Sequence, residues 1–211
     1  MSNPYIAGTG FYVPTNIVTN SDLSKYMDTS DEWIQERTGI KERRFAEAGI
    51  GPSDLAIPAT EQALTASGLT IKDIDFMIFA TSTPDYYAPG SGCLLQDKMG
   101  FNQIGALDIR VQCSGFIYGL SIAEQYIKTD KYKNILLIGA EVQSTAMDIT
   151  TKGRDTAVIF GDGAGAMIVE SSDRPGILSS HLHADGAFKD LLCVPVGVST
   201  AYQEILAGRA Y

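Results

Sequence analysis

Three cysteines, two histidines and a single tryptophan are the scarce reactive side chains of this 211-residue chain, and their neighbours decide what chemistry each can do. The most informative neighbourhood is Ile109-Arg110-Val111-Gln112-Cys113-Ser114-Gly115-Phe116. An apolar run ends there and a second one, of helical spacing, begins, so Cys113 falls at a strand-to-helix junction. At such a junction the unpaired N–H groups of the first helical turn and the positive end of the helix dipole favour thiolate over thiol. Ser114 and Gly115 are small and leave room for a substrate. Position alone leaves two readings open: a nucleophile, or a small buried core residue, the usual state of a free cysteine. Cys93 and Cys193 have no comparable setting and read as structural.

Trp33 and Arg37 stand at i and i+4 and share a face if their segment is helical. That pairing reads either as packing plus a solvated charge, or as a stacking platform and phosphate contact for a nucleotide-bearing substrate. His181-Leu182-His183-Ala184-Asp185 has HxHxD spacing and places both histidines on one face of a strand. No further histidine exists, and Gly186 stands where a metallohydrolase would need one, so a surface strand is preferred to a metal site. Two glycine motifs fail as cofactor signatures. Gly8-Thr9-Gly10 has Val13 in the last glycine's place and Pro14 against the helix that should follow. Gly161 to Gly165 has no Lys-Ser/Thr after it, so it is no P-loop; a tight turn with close backbone approach is the better reading of both.

The elements that must position these residues follow from periodicity. Apolar strand-like runs alternate with amphipathic ones, the mark of a layered α/β architecture. Strands are expected at Tyr5–Thr9, Asp75–Thr81, Ile104–Val111, Asn134–Ala140, Thr156–Phe160, Ala166–Val169 and Ile177–His183, with the glycine run as a tight connection between the fifth and sixth. Helices are expected at Asn20–Met27 behind Thr19, at Asp31–Thr38 behind Thr29 or Ser30 with Gly39 at its end, and at Pro52–Ser67 despite Pro58. Ser114–Lys128 is apolar nearly all round and is therefore expected to be a buried central helix.

Composition narrows the partners. Sixteen Lys+Arg against twenty-five Asp+Glu leave a net charge of −9, which repels a phosphate backbone and argues against nucleic acid. A small anion at a local basic spot such as Lys41, Arg43 and Arg44 is compatible with it. Met1 to Asn20 lacks the basic start of a signal peptide, and the apolar stretch Ile74–Thr81 falls far short of the ~20 residues that span a bilayer. An odd set of three cysteines without CxxC suggests free thiols in a reducing cytoplasm.

Taken together, these segments resemble β-ketoacyl-acyl-carrier-protein synthase III, of the thiolase fold. The resemblance runs from about Tyr5 to Pro195 and rests on Asp28-Thr29-Ser30-Asp31-Glu32-Trp33-Ile34 with Arg37-Thr38-Gly39-Ile40, on Cys113-Ser114-Gly115-Phe116, on Phe160-Gly161-Asp162-Gly163-Ala164-Gly165-Ala166, and on His181-Leu182-His183-Ala184-Asp185-Gly186. It implies a thiolase-like half-domain over 1–170, the start of a second half-domain over 171–211, and the remainder of that second half outside this chain. It implies that Cys113 is acylated from an acyl-coenzyme A and that malonyl-acyl-carrier protein is then decarboxylated and condensed onto the acyl group, initiating fatty acid or polyketide synthesis. Trp33, Arg37 and Arg154 match positions that hold the adenine and phosphates of coenzyme A. No metal and no cofactor beyond the coenzyme A thioester are implied.

A catalytic His, an Asn and part of the oxyanion hole belong to the family's second half and have no match here; His181 and His183 do not correspond to that histidine. A homodimer or a complementary C-terminal chain is the implied partner. The residue before Pro89, often a bulky aromatic at the far end of the acyl pocket, is Ala88, which points to acyl groups longer than acetyl. Two alternatives stand beside this reading: a related acyltransferase that joins acyl chains or uses a non-carrier acceptor, and a non-catalytic half-subunit that needs a partner chain.

Overall fold

A computed structural model describes residues 2–174 and 176–194. The elements in chain order are β1 (Asn3–Tyr12), β2 (Ile17–Thr19), α1 (Asn20–Leu23), α2 (Asp31–Thr38), β3 (Glu42–Arg44), α3 (Pro52–Ser67), β4 (Phe76–Ala80), α4 (Ser91–Met99), β5 (Gly105–Ile109), α5 (Gly115–Lys128), β6 (Asn134–Val142), α6 (Arg154–Ala157) and β7 (Asp162–Ser172). Two compact units divide the chain, Met1–Ser180 and His181–Tyr211.

In the first unit a five-stranded sheet runs in the order β1-β7-β6-β4-β5. Strands β6, β4 and β5 are parallel, whereas β7 is antiparallel to both of its neighbours. The central strand β4, Phe-Met-Ile-Phe-Ala, is buried along its whole length, as a parallel strand covered on both faces requires. One face carries α3 and α4, with Leu55, Ala59, Ala63 and Leu95 against Met77, Phe79, Leu136 and Ile138. The other carries α5, with Ala123 and Ile127 against Ile78, Ile135 and Leu137. A third cluster, Leu23, Met27, Ile34, Ala157 and Val158, seats α1, α2 and α6 together. The α/β layering expected for a thiolase-like half-domain is therefore present.

Gly8 and Gly10 lie inside β1 and make no turn. A Cβ at Gly8 would stand 2.6 Å from Ser67 N, and one at Gly10 2.7 Å from Ala63 N, so the bare backbone lets α3 lie directly on the strand. The glycine run is likewise no connection. β7 starts at Asp162 and passes straight through Gly163 and Gly165, alternating them with buried Ala164 and Ala166. The expected strand Thr156–Phe160 is instead the end of α6 and a turn, because burying Ala157 and Val158 in the third cluster outweighs the β preference of Thr156 and Val158. The expected strand Ile177–His183 does not form, and residues 176–185 are irregular. Ile177 and Ser180 turn inward, Ile177 donating its N–H to Pro4 O and Ser180 Oγ donating to Glu124 Oε2, while Leu178 between them is 81% exposed, so no alternation holds a strand.

Helix α1 is one turn, closed by a capping box between Thr19 and Asp22, and stops at Leu23 rather than Met27. Helix α5 is buried on one face only: Gly115, Gly119, Ala123, Glu124 and Ile127 are covered, whereas Ile117 is 50% exposed. The sheet covers one side of it, Phe116, Leu120, Ile122 and Tyr126 are half-buried against the same cluster, and Ser180 Oγ donates to Glu124 Oε2 at 2.8 Å. In the second unit, Gly186–Phe188 forms a 3₁₀ turn whose Ala187 N–H donates to Asp185 Oδ1 at 2.9 Å. No helix among the described residues is long and apolar enough to cross a membrane.

Candidate active site

Cys113 lies in the 3₁₀ turn Gln112–Ser114 between the end of β5 and the start of α5, and its side chain is exposed. The residue before it, Gln112, has φ 46°, a left-handed conformation that a side chain rarely adopts. Such an outlier costs on the order of 1–3 kcal/mol and is kept where the surrounding structure enforces it, typically at functional positions. Here the enforcement comes from packing. A Cβ on Gly115 would lie 3.1 Å from Ala80 Cβ, and one on Gly119 would meet Leu137 Cδ1 at 2.5 Å, so the first two turns of α5 sit hard against β4 and β6. No side chain caps α5: its N-cap, Ser114, makes no such bond. The positive end of α5 lies at the Cys113 junction, where the 3₁₀ turn takes up the leading amides: Ser114 N–H donates to Val111 O at 3.2 Å and Gly115 N–H to Gln112 O.

The C-terminal ends of β4, β5 and β6 emerge at this same edge of the sheet. There Glu141 gathers the loop after β4, accepting from Ser82 N (2.8 Å), Ser82 Oγ (2.9 Å) and Thr83 Oγ1 (2.6 Å). Asp162, only 5% exposed, accepts from Ala46 N at 2.7 Å and from Ser144 N at 2.9 Å, joining the segment after β3 to the one after β6. Sequence reading missed both carboxylates. For Asp162 the available signal was an acid between two glycines at the start of a buried strand; for Glu141, an acid directly after an apolar run. On β5 itself, Asp108 accepts from Gly92 N at 3.2 Å, and burial, reinforced by Asp85 nearby, raises its carboxyl above the usual range.

The second group of candidates converges. Helix α2 begins at Ser30, whose hydroxyl accepts from Trp33 N, and ends at Gly39, which adopts the left-handed conformation; Ile34, fully buried, anchors it. Trp33 is thereby held beside α6. The guanidinium carbon of Arg37 lies over its ring at 4.4 Å from the centroid, and that of Arg154 at 4.3 Å. Arg154 also donates to Asp28 O at 2.9 Å, and Asp28 N donates to Thr151 Oγ1 at 2.9 Å, so the turn ahead of α2 is tied to the segment carrying Arg154. The carboxylates nearest these arginines in sequence, Glu36 and Asp155, are 80% and 82% exposed and leave the guanidinium groups largely uncommitted. Two cations and an indole on neighbouring turns form a surface that suits a planar, phosphate-bearing ligand.

Trp33, Arg37 and Arg154 are thus brought together, while Cys113 stands apart at the end of β5 with no hydrogen bond or ring contact to them among the described residues. Cys93 and Cys193 are free and exposed. Among the described residues no group of three or more His, Cys, Asp or Glu is arranged to hold a metal, and His181 and His183 lie in irregular chain.

Comparison with known proteins matches residues 107–186 to a family described as 3-Oxoacyl-[acyl-carrier-protein (ACP)] synthase III. A β-ketoacyl-[acyl-carrier-protein] synthase III of Thioalkalivibrio sulfidiphilus is 48% identical over 211 residues, which is all of this chain and 65% of that protein. The enzyme of the same name from Xanthomonas euvesicatoria is 47% identical over 199 residues, 94% of this chain and 61% of that one. The crystal structure of 3-oxoacyl-[acyl-carrier-protein] synthase III from Aquifex aeolicus superposes with a TM-score of 0.88 at 44% identity, covering 92% of this chain and 62% of its own. The chain therefore spans somewhat under two thirds of the length of these relatives.

Proposed function

Because the chain belongs to the β-ketoacyl-acyl-carrier-protein synthase III family, whose thiolase-like α/β fold it shares, we propose that it carries the acyl-accepting part of a condensing enzyme of fatty acid synthesis. In this reading Cys113 is the nucleophile, and Trp33, Arg37 and Arg154 bind coenzyme A. The observation that carries it is the convergence of both arginines on the one tryptophan, at 4.3 and 4.4 Å from its ring centroid.

The transfer runs in two balanced steps. The Cys113 thiolate attacks the thioester carbonyl of an acyl-coenzyme A, backbone N–H groups hold the oxyanion, some of them from the family's second half, and the C–S bond to coenzyme A breaks, releasing its thiolate, which takes up a proton. A malonyl thioester then loses carbon dioxide, and the resulting enolate carbon attacks the acyl-Cys113 carbonyl, returning the thiolate. The second step needs the His and Asn that the family resemblance assigns to residues without a counterpart here, so the first step is the one proposed for this chain. The acyl-carrier-protein acceptor is inferred from the names of the relatives. A second copy or a complementary C-terminal chain is the partner in this reading, in a cytoplasmic assembly that uses no cofactor beyond the thioester.

The test is isothermal titration of the chain with coenzyme A alongside Trp33→Ala and Arg154→Ala. Saturable binding that both variants weaken is expected; binding indifferent to both would remove the assignment.

A further inference from the structure

Arg43 is a charged side chain that neither the acyl transfer nor the coenzyme A contacts account for. It sits on β3 and is only 6% exposed, and among the described residues none of its hydrogen-bond partners is a carboxylate. Its guanidinium meets three oxygens from three parts of the chain: Val18 O of β2 at 3.3 Å, Asn20 Oδ1 of α1 at 2.8 Å, and Val158 O at the end of α6 at 3.1 Å. Its Nε is buried with no partner among the described residues. Burial lowers its pKa. An arginine so placed is a poor device for stability, because an apolar residue of similar volume commonly serves as well or better.

What the arrangement does provide is a connection. Asn20, itself fully buried, donates through Nδ2 to Asp31 Oδ1 at 2.8 Å, the first residue of α2, and to Ile40 O at 2.7 Å, just beyond its last. Asn20 therefore grips α2 at both ends, and Arg43 joins Asn20 to the carbonyl that closes α6. The two arginines that stack on Trp33 ride on those same two helices: Arg37 on α2, Arg154 on α6. Gly161 leaves the room: a Cβ there would stand 3.1 Å from Arg43 Cβ.

We infer that Arg43 is a positioning residue for the coenzyme A site, fixing α6 against α2 through Val158 O and Asn20 so that Arg37 and Arg154 meet over Trp33. The inference rests on the reading of those three residues as that site. The fork of the guanidinium is what the role requires, since one planar group must reach acceptors on separate elements at once.

The experiment uses the 211-residue chain, with coenzyme A itself as the probe, titrated calorimetrically into the wild type, Arg154→Ala, Arg43→Gln and Arg43→Lys, with emission of the sole tryptophan recorded without ligand. Arg43→Gln is expected to bind coenzyme A about tenfold more weakly, with altered Trp33 emission; Arg43→Lys, which keeps the charge but lacks the planar fork and its reach, should recover part of the loss. A folded Arg43→Gln that binds within twofold of wild type with unchanged emission, even at a lower melting temperature, makes the role merely structural and overturns the inference. If Gln does not fold, the Lys variant is read by the same twofold limit. A variant-free arm follows amide exchange in the wild type: coenzyme A should slow exchange at 41–44 and 158–160, which touch no ligand in this reading, as well as at 33–37. Protection confined to 33–37 overturns the relay. A wild type that fails to bind, or an Arg154→Ala that binds as well as wild type, sinks the coenzyme A reading, whereas an intact Arg154 effect with no Arg43 effect sinks only the relay.

Discussion

Replacing Arg154 by Ala separates binding from folding. In the free chain its side chain is 29% exposed; it bonds Asp28 O at 2.9 Å, stacks on Trp33, and approaches only the exposed Asp155 at 3.3 Å. A surface pair of that kind contributes about 0–1 kcal/mol, and at this chain length ~1 kcal/mol moves a melting temperature by roughly 2–4 °C. With the partly exposed bond to Asp28 O counted as well, the folded state should survive with a loss of about 1–2 kcal/mol. A hydrogen bond to a charged group is worth about 1.5–3 kcal/mol; lost from a coenzyme A phosphate, it weakens binding roughly 10- to 100-fold at ~1.4 kcal/mol per decade. Calorimetric titration at low and at physiological salt measures this. The difference between wild type and variant should shrink as salt rises, because exposed charges are screened over about 8–10 Å. Binding of the variant within twofold of wild type at low salt would refute the phosphate assignment, and a melting temperature lower by 10 °C or more would show Arg154 to be a structural tie instead.

Gly10→Ala should destabilise the chain by about 1–3 kcal/mol in chemical denaturation, because the new Cβ meets the backbone of α3 at Ala63 N, and a helix backbone cannot yield as a side-chain end can. For pH dependence, Asp31 is held below the usual carboxylate range by hydrogen bonds from Asn20 and then Gln35. A folded pKa lying below the unfolded one gives stability that is fully present above about pH 4 and lost as pH falls through the folded value. Asp31→Asn should flatten the acid limb of the unfolding profile below pH 4 and leave the neutral region's slope alone. Ala88 is exposed beside Tyr86 and Tyr87; if it lines the acyl route, as the family resemblance implies, Ala88→Phe should move the competition between acetyl- and octanoyl-coenzyme A for Cys113 toward acetyl.

What the chain discloses before any coordinates depends on how local the cause is. Helix α2 was legible at Asp31–Thr38 and α3 from Pro52 to about Ser67, because Ser30, Gly39 and Pro52 are local start and stop signals. The strand-to-helix junction at Cys113 was legible from the change in apolar spacing alone, since no side chain caps α5. The glycine motifs were misread because their cause is remote: Gly8 and Gly10 are bare to admit α3, some fifty residues further along the chain. Thr156 to Phe160 reads as a strand by composition, yet burial against Leu23 and Ile34 makes it the end of a helical turn. Helix α4 escaped notice because its N-cap, Gly90, carries no capping side chain and its first turn no acid. Arg154 came only through family resemblance, since nothing near it in sequence reveals Trp33 as its neighbour. Arg43 looked like one of three surface cations, and its partners at 20 and 158 lie too far off for any window to connect them.

The nucleophile is tested most directly by intact-mass measurement of the chain after incubation with acetyl- or octanoyl-coenzyme A, followed by peptide mapping. A single acyl adduct on the peptide containing Cys113, absent from Cys113→Ala and retained when Cys93 and Cys193 are both replaced by Ala, is the predicted result. An adduct that persists undiminished in Cys113→Ala, or that maps to Cys93 or Cys193, would contradict the assignment of Cys113 as the acyl-accepting thiol.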